Sequence, residues 1–181
     1  SESERLQMIH YAFGYSACAL VLFRLIWGVV GTRYARFTQF LKGPAEMMKH
    51  AKGLFSSHSD NTVGHNPVGG IVMVGLMLLI LLIGLTGYFS VKEFFGDLMG
   101  EAHEAIASLA LAVVVIHIAA AIIMSVLQKE NLVKAMVTGK KRGLPEEAIR
   151  FPQYLIGILL ILGSIYCFYI ILTGAVPSLT Q

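Results

Sequence analysis

Charge is what this sequence has least of. Asp, Glu, Lys and Arg make up only 14% of its 181 residues, against about a quarter in a typical soluble domain. Hydrophobic residues reach 56%, and the mean hydropathy is +0.70. That composition excludes a disordered chain, because too much apolar surface would stay wet. It also argues against a soluble single-core domain, since the apolar residues come in long runs. Cysteine is equally scarce. Cys18 and Cys167 lie inside apolar stretches and form no CxxC pair, which argues against a disulfide scaffold, a zinc site or covalent c-type haem attachment. A phosphate loop is missing too. Gly64 and Gly69-Gly70 lack the lysine and strand context, and Gly139-Lys140-Lys141 has no glycine-rich loop before it. Nothing resembles a flavin or nucleotide domain.

What is present are four runs long enough to cross the hydrocarbon core, which takes about 20 apolar residues. These runs show no barrel-like alternation, and lipid leaves no backbone group unsatisfied, so they read as helices. The expected fold is all-α, a transmembrane helical bundle forming a single integral membrane domain over 1–181. Its helices are expected at about 6–32, 67–91, 101–128 and 152–176. Pro67 and Pro152 mark helix starts, and Pro177 follows a helix end.

The few charges sort by connector. Arg33, Arg36, Lys42, Lys49 and Lys52 fall in loop 33–66, and Lys129, Lys134, Lys140, Lys141, Arg142 and Arg150 in loop 129–151. The loop around 92–100 and the turn after it carry Glu93, Asp97, Glu101 and Glu104 against Lys92. By the positive-inside rule both basic loops are cytoplasmic and the acidic one external. Membrane insertion therefore explains the basic excess, and no nucleic-acid partner is implied. Phe37 to Phe55, amphipathic with Pro44 near its start, could also lie on headgroups, a weaker reading.

Histidines carry the chemistry. Six are present, and His10, His103 and His117 fall within spanning segments, where ionisable residues are rare and usually functional. His103 and His117 are 14 residues apart, which returns to within about 40° of one helix face at a separation of about 21 Å. That spacing suits two cofactors, one near each leaflet. It also disfavours a non-haem histidine relay for protons or metal, as does the lack of a paired intramembrane carboxylate. His10 and His103 both lie near external helix starts, at matched depth. Two imidazoles from facing helices can hold an iron porphyrin by both axial positions, for electron transfer rather than catalysis on a bound substrate. Gly14, one turn from His10, together with Ala107, Ala110, Ala120 and Ala121, would admit a flat cofactor or simply close helix packing.

His117 lacks an obvious partner. His50, His58 and His65 sit in the basic loop, whereas His117 is about 15 Å up from its helix end. An unpartnered imidazole in lipid is costly, so its partner is expected from outside this chain. Arg24 shares the His10 face at about the depth of His117. It could pair a haem propionate or snorkel toward the cytoplasm. The methionines read as packing residues, and Tyr11, Trp27, Tyr34 and Tyr88 as interfacial anchors.

These residues together resemble a known family. Ile9-His10-Tyr11-Ala12-Phe13-Gly14 opens a helix and Phe23-Arg24-Leu25-Ile26-Trp27-Gly28 closes it. Gly31-Thr32-Arg33-Tyr34-Ala35-Arg36-Phe37, Gly64-His65-Asn66-Pro67, the His103/His117 helix and Glu130-Asn131-Leu132-Val133-Lys134-Ala135-Met136 follow in order. From about Leu6 to Arg142 the chain is similar to the bacterial di-haem b-type cytochromes, which include cytochrome b-561 and the membrane subunit of nickel–iron hydrogenases. The resemblance implies haem b, a bis-histidine site at His10 and His103, and a second site at His117. It also implies one more transmembrane helix upstream of Ser1, bearing a His-Trp pair that supplies the partner of His117. His65 and Asn66 recur in the family, where a propionate or helix-capping role suits them better than iron ligation. The last helix lies outside the shortest members.

The expected function is a multi-pass cytochrome of the bacterial inner membrane. It would pass electrons between an external redox protein, such as a c-type cytochrome or a hydrogenase or dehydrogenase subunit, and quinone or a second haem. Direct superoxide- or quinone-linked oxidoreductase action at the external haem is the alternative, and the acidic external loop disfavours an anionic substrate there.

Overall fold

The computed structural model describes residues 2–39, 41, 43, 67–127, 131–139 and 153–173. Four long helices account for most of them: α1 (Glu2–Val30), α2 (Pro67–Val91), α3 (Leu98–Leu127) and α5 (Tyr154–Leu172), with the short α4 (Leu132–Thr138) between the last two. No strand occurs among the described residues. The four long helices are each long and apolar enough to cross a membrane, so the all-α transmembrane class holds. Their surfaces say the same. Leu111, Ile116, Val126 and Leu155 are each at least 66% exposed, which suits side chains whose solvent is lipid.

Helix ends follow local chemistry. Pro67 occupies the first position of α2, where its missing N–H goes unneeded. Glu2 and Glu4 stand in the first turn of α1, where their charge meets the positive end of the helix dipole. α1 therefore starts a turn ahead of its apolar run.

Two compact units divide the described chain. The first comprises Ser1–Ile26, Met77–Ala110 and Phe151–Gln181. In it α1 meets α5 through Phe13 and Phe168, whose rings stand 5.0 Å apart edge to face, and Ala12 and Ile171 are almost wholly buried. α1 meets α2 where the Cys18 thiol lies against Gly84 and 3.7 Å from the Ile80 carbonyl oxygen. A tight turn carries α2 into α3. Glu93, Phe95 and Gly96 there have φ of 55°, 65° and 58°, and the first two pay the steric cost that only glycine escapes. The amides of Glu93 and Phe94 donate to the carbonyls of Ser90 and Phe89, and the Phe94 ring packs edge-on against Phe89 at 5.7 Å.

The second unit comprises Trp27–Leu76 and Leu111–Arg150. After α1 the chain makes two single 3-10 turns, Arg33–Ala35 and Phe37–Gln39. These fold the Phe37 ring onto buried Gly28, in the space that any side chain at position 28 would occupy. The Arg33 guanidinium lies 5.6 Å from the centre of the Tyr34 ring. At the end of α3 the Ser125 hydroxyl donates to the Ala121 carbonyl and accepts from the Leu132 amide at 3.0 Å. Asn131 caps α4 by accepting from the Lys134 amide at 2.8 Å, and Gly139 closes it in the left-handed region. Asn131→Ala should cost about 1 kcal/mol of local stability, measurable as faster amide exchange in α4 than in α3.

Candidate functional site

The three histidines of the spanning segments fall in different settings. His10 on α1 and His103 on α3 belong to the first unit and come together: their ring centres are 5.9 Å apart and their planes cross at 79°. His10 is exposed and His103 half-buried. His117 lies on α3 within the second unit and is half-buried. His50, His58 and His65 lie outside the described residues.

α2 fixes how His103 is held. The His103 Nδ1 atom is 2.9 Å from the Ile83 carbonyl oxygen. A carbonyl only accepts, so Nδ1 carries the proton and the Nε2 lone pair is left for another partner. The ring lies against the backbone of Gly87, where a Cβ would stand 3.0 Å from both Nδ1 and Cε1. Thr86, buried next to it in sequence, shares its one hydroxyl proton between the Leu82 carbonyl at 2.8 Å and that of Ile83 at 3.2 Å. The Ile83 carbonyl thus gathers side-chain donors from two helices.

On α1, Gly14 is exposed and a Cβ there would meet nothing within 4 Å. Arg24, further along α1, is half-buried. Sequence reasoning had no place for Ile83, Thr86 or Gly87. The signal was there in Gly84-Leu85-Thr86-Gly87, small and polar residues in an otherwise bulky apolar helix, which permit close approach.

These two imidazoles suit a metal held in a macrocycle better than a bare ion. No group of three or more His, Cys, Asp or Glu side chains able to hold a metal ion occurs among the described residues. Two imidazoles alone make a poor cage for a bare ion, but they suffice when a macrocycle supplies the equatorial ligands. Imidazoles reaching one metal at about 2 Å from each nitrogen have ring centres about 6 Å apart. The observed 5.9 Å matches, and rotation about a metal–nitrogen axis does not change it. An ordinary edge-to-face ring pair has similar spacing.

Comparison with known proteins agrees with this chemistry. The sequence model of the prokaryotic cytochrome b561 family matches residues 2–139, most of the chain and every helix but α5. No curated protein and no solved structure matches. The chain belongs to the prokaryotic cytochrome b561 family. It is accordingly a multi-pass membrane protein of a haem b-binding, electron-transferring class.

Proposed function

We propose that the chain holds haem b between His10 and His103 and relays electrons between a redox protein on the external face and quinone or a second haem. The observation that carries this reading is the paired imidazoles, with His103 tethered through Nδ1 to Ile83 so that Nε2 is free. Bound haem supplies one-electron chemistry at its iron. The chain's own part is to supply two neutral imidazoles, to fix the tautomer of one, and to keep the site apolar. A haem held by His10 and His103 together would serve electron transfer rather than reaction with a small molecule.

His117 is the ligand of a second haem, nearer the basic loops, whose other ligand comes from a helix outside this sequence. Gly14 gives a flat cofactor room beside His10. Arg24 pairs a propionate or snorkels toward the cytoplasm, and His65 serves a propionate or a helix cap. The acidic turn faces the bacterial periplasm, where a soluble cytochrome or an enzyme subunit would dock, and the basic loops face the cytoplasm.

The test is a reduced-minus-oxidised spectrum of the full-length protein purified in detergent, with haem measured per polypeptide. A b-type α-band with two haems per chain is expected. A haem-free protein that is otherwise folded would sink the reading.

A further inference from the structure

We propose that Gly87 is a positioning residue that sets the redox properties of the haem held by His103. This rests on the haem reading and goes beyond it by assigning a tuning role to a residue on a third helix. In a regular helix the Ile83 carbonyl already accepts the amide of residue 87. A further donor from α3, beyond the Thr86 hydroxyl, must reach that oxygen across the backbone of residue 87, and the His103 ring does so at 2.9 Å. It can because residue 87 has no side chain. The Cβ of any other residue would stand 3.0 Å from Nδ1 and Cε1, so the ring would have to withdraw by some tenths of an ångström. An imidazole–carbonyl bond at 2.9 Å is sensitive to such a displacement.

The consequence reaches the metal through the ligand. An Nδ1–H bond to a carbonyl fixes ring orientation and raises the basicity of the coordinating nitrogen. A more basic axial ligand favours the oxidised iron and lowers the potential, since axial ligands and their hydrogen bonds are among the protein's main levers on haem. Stretching the His103–Ile83 bond therefore raises the potential of that haem. Position 87 thus acts through His103 and touches no reacting atom.

The experiment compares purified wild type, Gly87→Ala, Gly87→Val and, as control, Gly75→Ala. Gly75 lies on the same helix, and a Cβ there would meet nothing within 4 Å. Haem per chain, midpoint potentials by redox titration and the low-spin electron paramagnetic resonance signal are read for each. Gly87→Ala should keep its haem with one potential shifted upward and one low-spin signal displaced. Gly87→Val should lose the same haem that His103→Ala removes. Gly75→Ala should match wild type. Gly87→Ala with full haem, unchanged potentials and an unchanged signal overturns the inference, as does an equal shift in Gly75→Ala. If Gly87→Val fails to accumulate in membranes, Gly87→Ala decides alone, and its loss of the His103 haem counts in support. A haem-free wild type overturns the haem reading itself, and this inference with it, whereas the other adverse outcomes leave that reading standing.

Discussion

Replacing either His10 or His103 with alanine is expected to abolish one low-spin b-type haem signal out of two, and replacing both is expected to remove no more. The two rings stand 5.9 Å apart, edge to face, so on the proposed pairing each substitution deletes half of one ligand pair. Groups that act as a unit give strongly non-additive losses. On the proposed reading His117, 14 residues on from His103, serves a second site. Its replacement should remove the other signal, and combining His117→Ala with His103→Ala should remove both. Difference spectra of the three single and two double variants settle the matter. Additive losses in the His10/His103 pair, or a low-spin signal intact in either single variant, would show that the pairing is wrong. Loss of the same signal from His103→Ala and His117→Ala would contradict two separate sites.

The next largest effect is expected at Gly84. A Cβ there runs into the Cys18 thiol and lies 3.8 Å from the Cys18 Cβ. Rotating the thiol away gives up its contact with the Ile80 carbonyl, and few rotamers are open to it on a helix. Gly84→Ala should therefore cost about 1–3 kcal/mol through overpacking, seen as a lower midpoint in thermal unfolding of the detergent-solubilised protein. Cys18→Ala removes the obstructing sulfur and leaves an ordinary 3.8 Å contact between the two Cβ atoms. The double variant Cys18→Ala/Gly84→Ala should recover most of the loss. Failure of that rescue would mean that the cost does not come from the α1–α2 contact.

These two cases show what could be read before any fold was known. The four spans were legible because lipid selects for uninterrupted apolar length, and caps such as Pro67 are local features. The helical depth of His10 and His103 followed from loop charge and residue counting, and the two rings do lie together. Contacts from α2 were not legible. Helices that are apolar all round carry no stripe to say which face meets which neighbour, so the small residues Gly84, Thr86 and Gly87 mark a close approach without naming His103 as what approaches. The thiol of Cys18 was equally silent, being one small apolar group among many. His65 lies outside the described residues, and its role stays with the family resemblance.

The turn between α2 and α3 has a consequence for how this protein can vary. Surface connections commonly tolerate insertions and deletions, because lengthening a flexible loop costs little. Here two non-glycine residues, Glu93 and Phe95, sit in the left-handed region, at roughly 1 kcal/mol or more each. The Phe89–Phe94 packing and the amides bonded back onto α2 hold them there. Such a connection works as a spacer of set length. One extra residue wound onto either helix would turn His103 about 100° away from Ile83. Substitution in this stretch can be generous while its residue count cannot, so an exposed turn is bound as tightly as the helices it joins.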